Sequence, residues 1–464
     1  MTETVSSPVL ASLARILSSD ELLTDAADCW AYGYDNSRRQ GRPAGVALPS
    51  TPEQAAAVVA ACYAAATPLT VRGRGTGTAG AAVPDDGSVV LSTERLDRII
   101  AIDGPNRVAV VQPGVTNAAL QRAAGEAGFF WPPDPTSAEY CTVGGNLGCN
   151  SAGPRAVKYG TPRDNTLGLT AVTGTGQIIR TGCYTTKGVV GYDLTRLLIG
   201  SEGTLAVILE AILKLTPLPE AIRTLRAVYA DMESAALAVS RIMGQAATPR
   251  VLEFMDGKAA ALAAEQRPGV LPEGTGSVLL IEADGTRATV EETAAAIGRA
   301  ARGPGLIELR TAANDDEAGQ LWEARKALSP ALRGIAPGKI NEDVVVPVAS
   351  MGTFISQLEE LGRRHDVMIV SFGHAGNGNI HVNLLGNTED PVERARMERC
   401  LADVFACVLG LGGTLSGEHG IGIAKRDYVE LELSPEVMGL MRGIKAVFDP
   451  AGILNPGKGL PNPT

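Results

Sequence analysis

Leu69-Thr70-Val71-Arg72-Gly73-Arg74-Gly75-Thr76-Gly77-Thr78-Ala79-Gly80 reads as a short strand opening into a glycine-rich turn, and its continuation decides the fold. Gly75-x-Gly77-x-x-Gly80 matches the dinucleotide fingerprint by its letters. That fingerprint works only where the turn runs into a helix whose N-terminus meets a pyrophosphate. Here Val83-Pro84-Asp85-Asp86-Gly87 follows almost at once and leaves no room for a useful helix. The better reading is a loop whose own amides wrap a phosphate as a nest, with Arg72 and Arg74 adding charge. A flexible turn between strands is the plain alternative for this segment taken alone.

The flanks alternate helix and strand. Thr51 before Pro52-Glu53-Gln54 is a helix start, with proline at the first helical position and glutamine set for a capping box. The alanine-rich run continues that helix until Pro68. Further strands are expected over residues 88–91 and 107–112, and a helix over 117–127. Pro132-Pro133-Asp134-Pro135-Thr136-Ser137 and Thr142-Val143-Gly144-Gly145-Asn146 through Gly153-Pro154-Arg155 then strip side chains from the backbone. Such stretches suit a large planar, phosphate-bearing ligand pressed against main chain. Gly191 to Leu205 follows, alternating apolar residues with glycine turns around Glu202-Gly203.

A chain of 464 residues exceeds one core and predicts two or three domains. Its 45% apolar and 20% charged content is that of an ordinary globular protein. The net charge of −10 argues against broad nucleic-acid binding, and no apolar run approaches the length of a membrane helix. The acidic start Met1-Thr2-Glu3-Thr4 lacks the pattern of a signal peptide, so cytoplasmic residence is expected. The seven cysteines form no Cys-x-x-Cys, against iron–sulfur and haem-c attachment; electrons extracted here must leave through another molecule.

Thr216-Pro217-Leu218-Pro219-Glu220 marks a domain boundary. Beyond it strands are expected at 224–229, 250–254, 277–283, 306–311, 340–346, 367–372 and 379–385, with helices at 232–243 and 351–365 among them. That recurrence predicts an antiparallel sheet with helices on one face. Three of the four histidines fall in Gly373-His374-Ala375-Gly376-Asn377-Gly378-Asn379-Ile380-His381 and Ser416-Gly417-Glu418-His419-Gly420. Two imidazoles and one carboxylate with an open position make a catalytic zinc shell, and the leftover histidine can serve as a base near neutral pH. His381 and Asn383, two apart on a strand, share one face. His365, at a helix end, reads as a solvated dipole partner. Trp322 to Ser329 reads as one helix carrying Arg325 and Ser329 on a common face, and arginine's planar fork suits a carboxylate.

With these motifs in this order, the chain resembles the FAD-linked oxidases of the vanillyl-alcohol oxidase / p-cresol methylhydroxylase type. Within them it is most similar to the D-2-hydroxy-acid dehydrogenase branch: D-lactate dehydrogenase, D-2-hydroxyglutarate dehydrogenase and the glycolate oxidase flavin subunit. The resemblance runs from Pro49-Ser50-Thr51-Pro52-Glu53 to Asn455-Pro456-Gly457-Lys458. It implies an α+β protein: a two-subdomain FAD-binding domain over 1–218, an antiparallel-sheet cap over 219–412, and a segment over 413–464 returning to the flavin. It carries FAD contacts to Arg72, Gly73, Arg74, Gly75, Thr76, Gly77, Pro133, Asp134, Thr136, Ser137, Thr142, Gly144, Gly145, Asn146, Gly153, Glu202, Gly203 and Asn455. No histidine or cysteine stands where the family would link its flavin, so non-covalent FAD is implied.

The resemblance also carries metal ligands to His374, His381 and Glu418, the catalytic base to His419, and substrate contacts to Arg325, Ser329, Lys339 and Asn383. A divalent metal, zinc first, is implied. The family commonly has aspartate where this chain has Asn377, which predicts weaker outer support for a metal ligand. The implied reaction is oxidation of a D-2-hydroxy acid, with electrons passed to a quinone, a cytochrome or an electron-transfer flavoprotein. Alternatives are a flavin subunit inside a glycolate oxidase-type complex, a nicotinamide dehydrogenase and a non-redox FAD-linked synthase. A homodimer is an open arrangement.

Overall fold

The computed structural model describes residues 8–266 and 271–461. They divide into two compact units. One gathers residues 8–152, 160–218 and 418–461; the other, residues 153–159 and 219–417.

The first unit holds two main sheets. In the four-stranded sheet, Gly45–Ala47 and Leu69–Arg72 both run parallel to Val89–Ser92, and Leu22–Leu23 pairs antiparallel at the edge. Helix Pro52–Ala64 covers it, started by the expected capping box: Thr51 Oγ1 accepts from Gln54 N at 3.2 Å while Gln54 Oε1 accepts from Thr51 N at 3.1 Å. Ala55, Val58, Val59 and Cys62 turn inward from it onto Leu69, Val89 and Leu91. The second sheet is antiparallel, in the order Ile99–Asp103, Val108–Val111, Ala206–Lys214, Thr166–Thr173, Ile178–Gly182. Its core centres on Val111, Leu120, Trp131, Leu169 and Leu213. The C-terminal segment returns to the first sheet, where Leu69 N donates to Ile453 O and Asn455 N to Leu69 O, both at 2.8 Å.

The second unit is built on seven antiparallel strands, ordered Leu306–Thr311, Ala221–Tyr229, Ser277–Gly285, Val251–Asp256, Met368–His374, Asn379–Gly386, Gly338–Val345. Helices pack on both faces, which corrects the expectation of one. On one face Tyr229 donates to Ala301 O of helix Val290–Ala301, and Leu225 and Leu309 approach Gly298. On the other, Val228, Met255, Val370 and Phe372 pack with Ala259, Ala260 and Ala263 of helix Gly257–Gln266 and with Leu328 and Leu332. Strands Val251–Asp256 and Asn379–Gly386 are buried on both sides for this reason; the first carries no strict alternation, and in the second Asn379, His381 and Asn383 alternate with Ile380, Val382 and Leu384 although both faces are covered.

The expected helix through Trp322 and Ser329 is also corrected. Asp315–Lys326 ends one residue after Arg325, and a separate four-residue helix spans Leu328–Ala331. Pro330 supplies no amide and crowds the residue before it, which interrupts the hydrogen-bond run, while Ala327 between the two helices keeps helical backbone angles (φ −69°, ψ −15°).

Candidate active site

In the flavin-side unit, the glycine loop leaves strand Leu69–Arg72 with its amides unspent. Among the described residues, no backbone N–H from Gly73 to Gly77 donates to a protein acceptor. Consecutive free donors of this kind form a concave nest for an anion, which fits the pyrophosphate of FAD. Arg72 supports the loop from beneath: its guanidinium donates to the carbonyls of Tyr34 at 2.7 Å and Ala31 at 3.2 Å and lies 5.8 Å from the Tyr32 ring. A Cβ at Gly75 (φ 65°) would sit 2.3 Å from that guanidinium, so the turn closes only over glycine. Arg74 is exposed.

The second loop abuts the first, since a Cβ on Gly73 would come within 2.6 Å of Thr142 Oγ1. Thr142 caps a short helix, Val143–Cys149, where the sequence suggested open loop. The amides of Val143, Gly144 and Gly145 are taken by Val115 O, Pro113 O and Thr142 Oγ1. Asn146 is buried in a polar lattice that sequence reading missed. Its Oδ1 accepts from Asn117 Nδ2 at 3.1 Å, and Asn117 and Gln121 both donate to Pro133 O. Pro133 and Asp134 are thus fixed, Asp134 N also reaching Ala152 O at 2.9 Å. Ser137 O accepts the amides of Tyr140 and Cys141, turning the chain just after Thr136. Gly153 (φ 78°) falls within the short stretch that belongs to the other unit.

Glu202 and Asn455 brace the C-terminal return. The Glu202 carboxylate accepts from the amides of Ile421 at 2.8 Å and Gly422 at 2.9 Å. Burial pushes its carboxyl up, against those amides and the charges of Lys425 and Lys458. Asn455 Oδ1 accepts from Val71 N at 2.9 Å while its Nδ2 donates to Glu202 O at 2.5 Å, and Gly203 packs beside both Val71 and Asn455.

The second unit carries a closed ring of five side chains. His374 and His381 flank the tight turn Ala375–Asn377, their rings 5.1 Å apart and edge-on. A Cβ at Gly378 (φ 70°) would meet Val346 O at 2.0 Å, so glycine sets the turn that brings the two strands back together. His381 lies across from Phe372, ring centroids 5.8 Å apart. Phe372 in turn lies under the Arg325 guanidinium at 4.5 Å. Arg325 grips Glu253, Nε to Oε2 at 3.0 Å and Nη2 to Oε2 at 2.7 Å. The ring closes where Glu253 Oε1 meets His374 Nδ1. That contact commits Nδ1 and leaves Nε2 of His374 as the nitrogen for a metal, an arrangement that fits a ligating histidine.

Burial pushes the Glu253 carboxyl up, but His374 and Arg325 beside it outweigh that and hold it below the usual carboxylate range. Glu253 gives His374 a buried carboxylate partner, whereas Asn377 is exposed in the turn. The signal for it was a single charge inside the apolar run Val251-Leu252-Glu253-Phe254-Met255.

Asp343, fully buried directly across from His381, accepts from Ser416 Oγ at 3.1 Å and Gly417 N at 2.9 Å. It thereby fixes the chain one residue before Glu418. Glu418 and His419 themselves open the segment that belongs to the flavin-side unit, where Ser151 Oγ donates to Glu418 O at 2.8 Å. Asn383 is buried, its Nδ2 donating to Val370 O and His381 O. Its Oδ1, and that of Asn341 directly opposite, have no protein partner among the described residues. Lys339 follows on the same face across from Leu385. The side chain of Ser329 lies outside the described residues. His365 contacts Asp403 at 2.7 Å at the end of helix Met351–His365 and takes no part in the ring.

The family profile described as "FAD binding domain" matches residues 43–182, and the one described as "FAD linked oxidases, C-terminal domain" matches residues 218–459. The chain belongs to the FAD-linked oxidases. This oxidase is 39% identical to the glycolate oxidase subunit GlcD of Bacillus subtilis (strain 168), over 92% of its own length and 91% of the relative's. It is 35% identical to the D-lactate dehydrogenase of Anaerostipes hadrus, over 96% and 94% of the two chains. Its fold matches p-cresol methylhydroxylase with a TM-score of 0.81, covering 100% of this chain and 99% of that one at 18% identity. It is thus an FAD-binding oxidoreductase of p-cresol-methylhydroxylase type, on the branch that includes those hydroxy-acid relatives. Among the described residues no helix is long and apolar enough to cross a membrane.

Proposed function

We propose that this oxidase converts a D-2-hydroxy acid such as D-lactate or D-2-hydroxyglutarate to the 2-oxo acid. The observation that carries this reading is the ring joining Arg325 to His374 and His381 through Glu253 and Phe372, a carboxylate-binding group beside two metal-type ligands. When bound, FAD supplies the acceptor for the α-hydrogen with its electron pair, and a divalent metal, zinc first, supplies Lewis acidity toward the substrate oxygens. His374, His381 and Glu418 would hold the metal, each offering one ligand atom. Glu253 takes the Nε side of Arg325, so the opposite edge, Nη1 with the second N–H of Nη2, remains to receive the substrate carboxylate in bidentate fashion. Asn383 and Lys339 line the same sheet face for the rest of the substrate. His419 removes the hydroxyl proton as the α-hydrogen departs, so two electrons and two hydrogens leave the acid. The electrons pass on to an external quinone, cytochrome or electron-transfer flavoprotein.

Stopped-flow mixing of the flavin-loaded protein with paired D- and L-2-hydroxy acids tests this. Flavin bleaching by one or more D-acids and not by their L-partners is expected; indifference to every hydroxy acid overturns it. A second reading, a flavin subunit that works within a glycolate oxidase-type complex, is favoured by the likeness to a Bacillus subtilis protein named as a subunit. Dye-linked turnover by the isolated protein, compared with that of co-purified material, separates the two.

A further inference from the structure

Glu253 stands between two groups that the reaction needs close together yet that repel each other. Its carboxylate is 2% exposed and divides its oxygens, Oε2 to the Arg325 guanidinium and Oε1 to His374. With a divalent cation on His374, a guanidinium and a metal would share one buried site with no solvent to screen them. Like charges that share a poorly screened interior oppose each other. The carboxylate is the one anion seated between them in the ring. It also sets the tautomer of His374 by holding Nδ1.

We propose that Glu253 is a positioning residue that couples the metal to the substrate clamp, its negative charge permitting the metal and Arg325 to occupy one site. This rests on the metal reading given above. It makes a prediction that simple outer support of a ligand does not. If the role is charge compensation, loss of Glu253 should be partly cured by also removing the positive charge of Arg325. If Glu253 only orients the imidazole, removing Arg325 as well should bring no recovery.

The experiment is zinc or manganese titration of metal-stripped, flavin-loaded protein, with circular dichroism to check folding. E253Q is expected to bind the metal about 10- to 100-fold more weakly than wild type, the range typical of lost outer-sphere partners. The double variant E253Q/R325M is expected to bind severalfold more tightly than E253Q. E253D, which keeps the charge but shortens the reach, should fall between wild type and E253Q; should E253Q not fold, E253A, which also removes the charge, stands in for it and R325M pairs with E253A. Wild-type affinity in E253Q overturns the coupling while leaving the metal site intact. A double variant no better than the single overturns charge compensation. A wild-type protein that binds neither metal overturns the metal reading, and the coupling with it.

Discussion

At the residue scale, the histidine pair and the arginine were legible because each stands in a conspicuous setting: glycine-flanked imidazoles, and a guanidinium late in a helical run. Glu253 was not, because it meets His374 across 121 positions of sequence and carries no motif of its own. Only the strand register, Phe254 against Gly373 and Met255 against Phe372, brings the two together. Asp343 was hidden for the same reason, entering through its pairing with His381. Arg72 was read as a phosphate contact, yet its guanidinium is occupied by backbone carbonyls under the loop. For His419, the proposed base, H419A should slow flavin reduction by a D-2-hydroxy acid roughly 100-fold or more, while metal binding persists. Reduction at the wild-type rate would move the base elsewhere.

At the element scale, boundaries held wherever local chemistry dictates them. The capped helix Pro52–Ala64, helix Met232–Met243, helix Met351–His365 and strand Leu306–Thr311 begin or end on caps, prolines and alternation that need no tertiary partner. Reading failed where a neighbour decides: at Thr142, whose loop becomes a helix, and at Pro330, which splits the expected Arg325 helix. The C-terminal return shows the same dependence. Lys458 is buried, its Nζ donating to Thr70 Oγ1 at 3.3 Å. Burial pulls its amine down to about 8, against Asp85, Asp35 and Glu202. A base with a depressed folded pKa binds fewer protons folded than unfolded between about 8 and its ordinary value of 10.5, so stability rises with pH across that window. K458M should therefore be more stable than wild type below pH 8, by up to roughly 3 kcal/mol, an advantage that shrinks as pH approaches 10.5. Chemical denaturation of both proteins at pH 7 and pH 10 measures this; a constant difference would contradict it.

At the scale of the whole molecule, the α+β architecture was legible because the glycine loop excludes a Rossmann helix and the strand–helix recurrence after Pro219 demands an antiparallel sheet. The layering of that sheet was not: Val251–Asp256, buried on both sides, carries no strict alternation, and Asn379–Gly386 alternates although its polar face is buried too. Each unit contributes a distinct arrangement: free loop amides in one, and in the other a buried ring of two imidazoles, a phenylalanine, an arginine and a glutamate. The central claim, metal-assisted oxidation of a D-2-hydroxy acid, is tested most directly by anaerobic flavin bleaching before chelation, after it, and after zinc or manganese add-back. Chelation is expected to abolish bleaching by the D-acid while the flavin stays bound, and added metal to restore it. Bleaching that proceeds unchanged through chelation would contradict that claim.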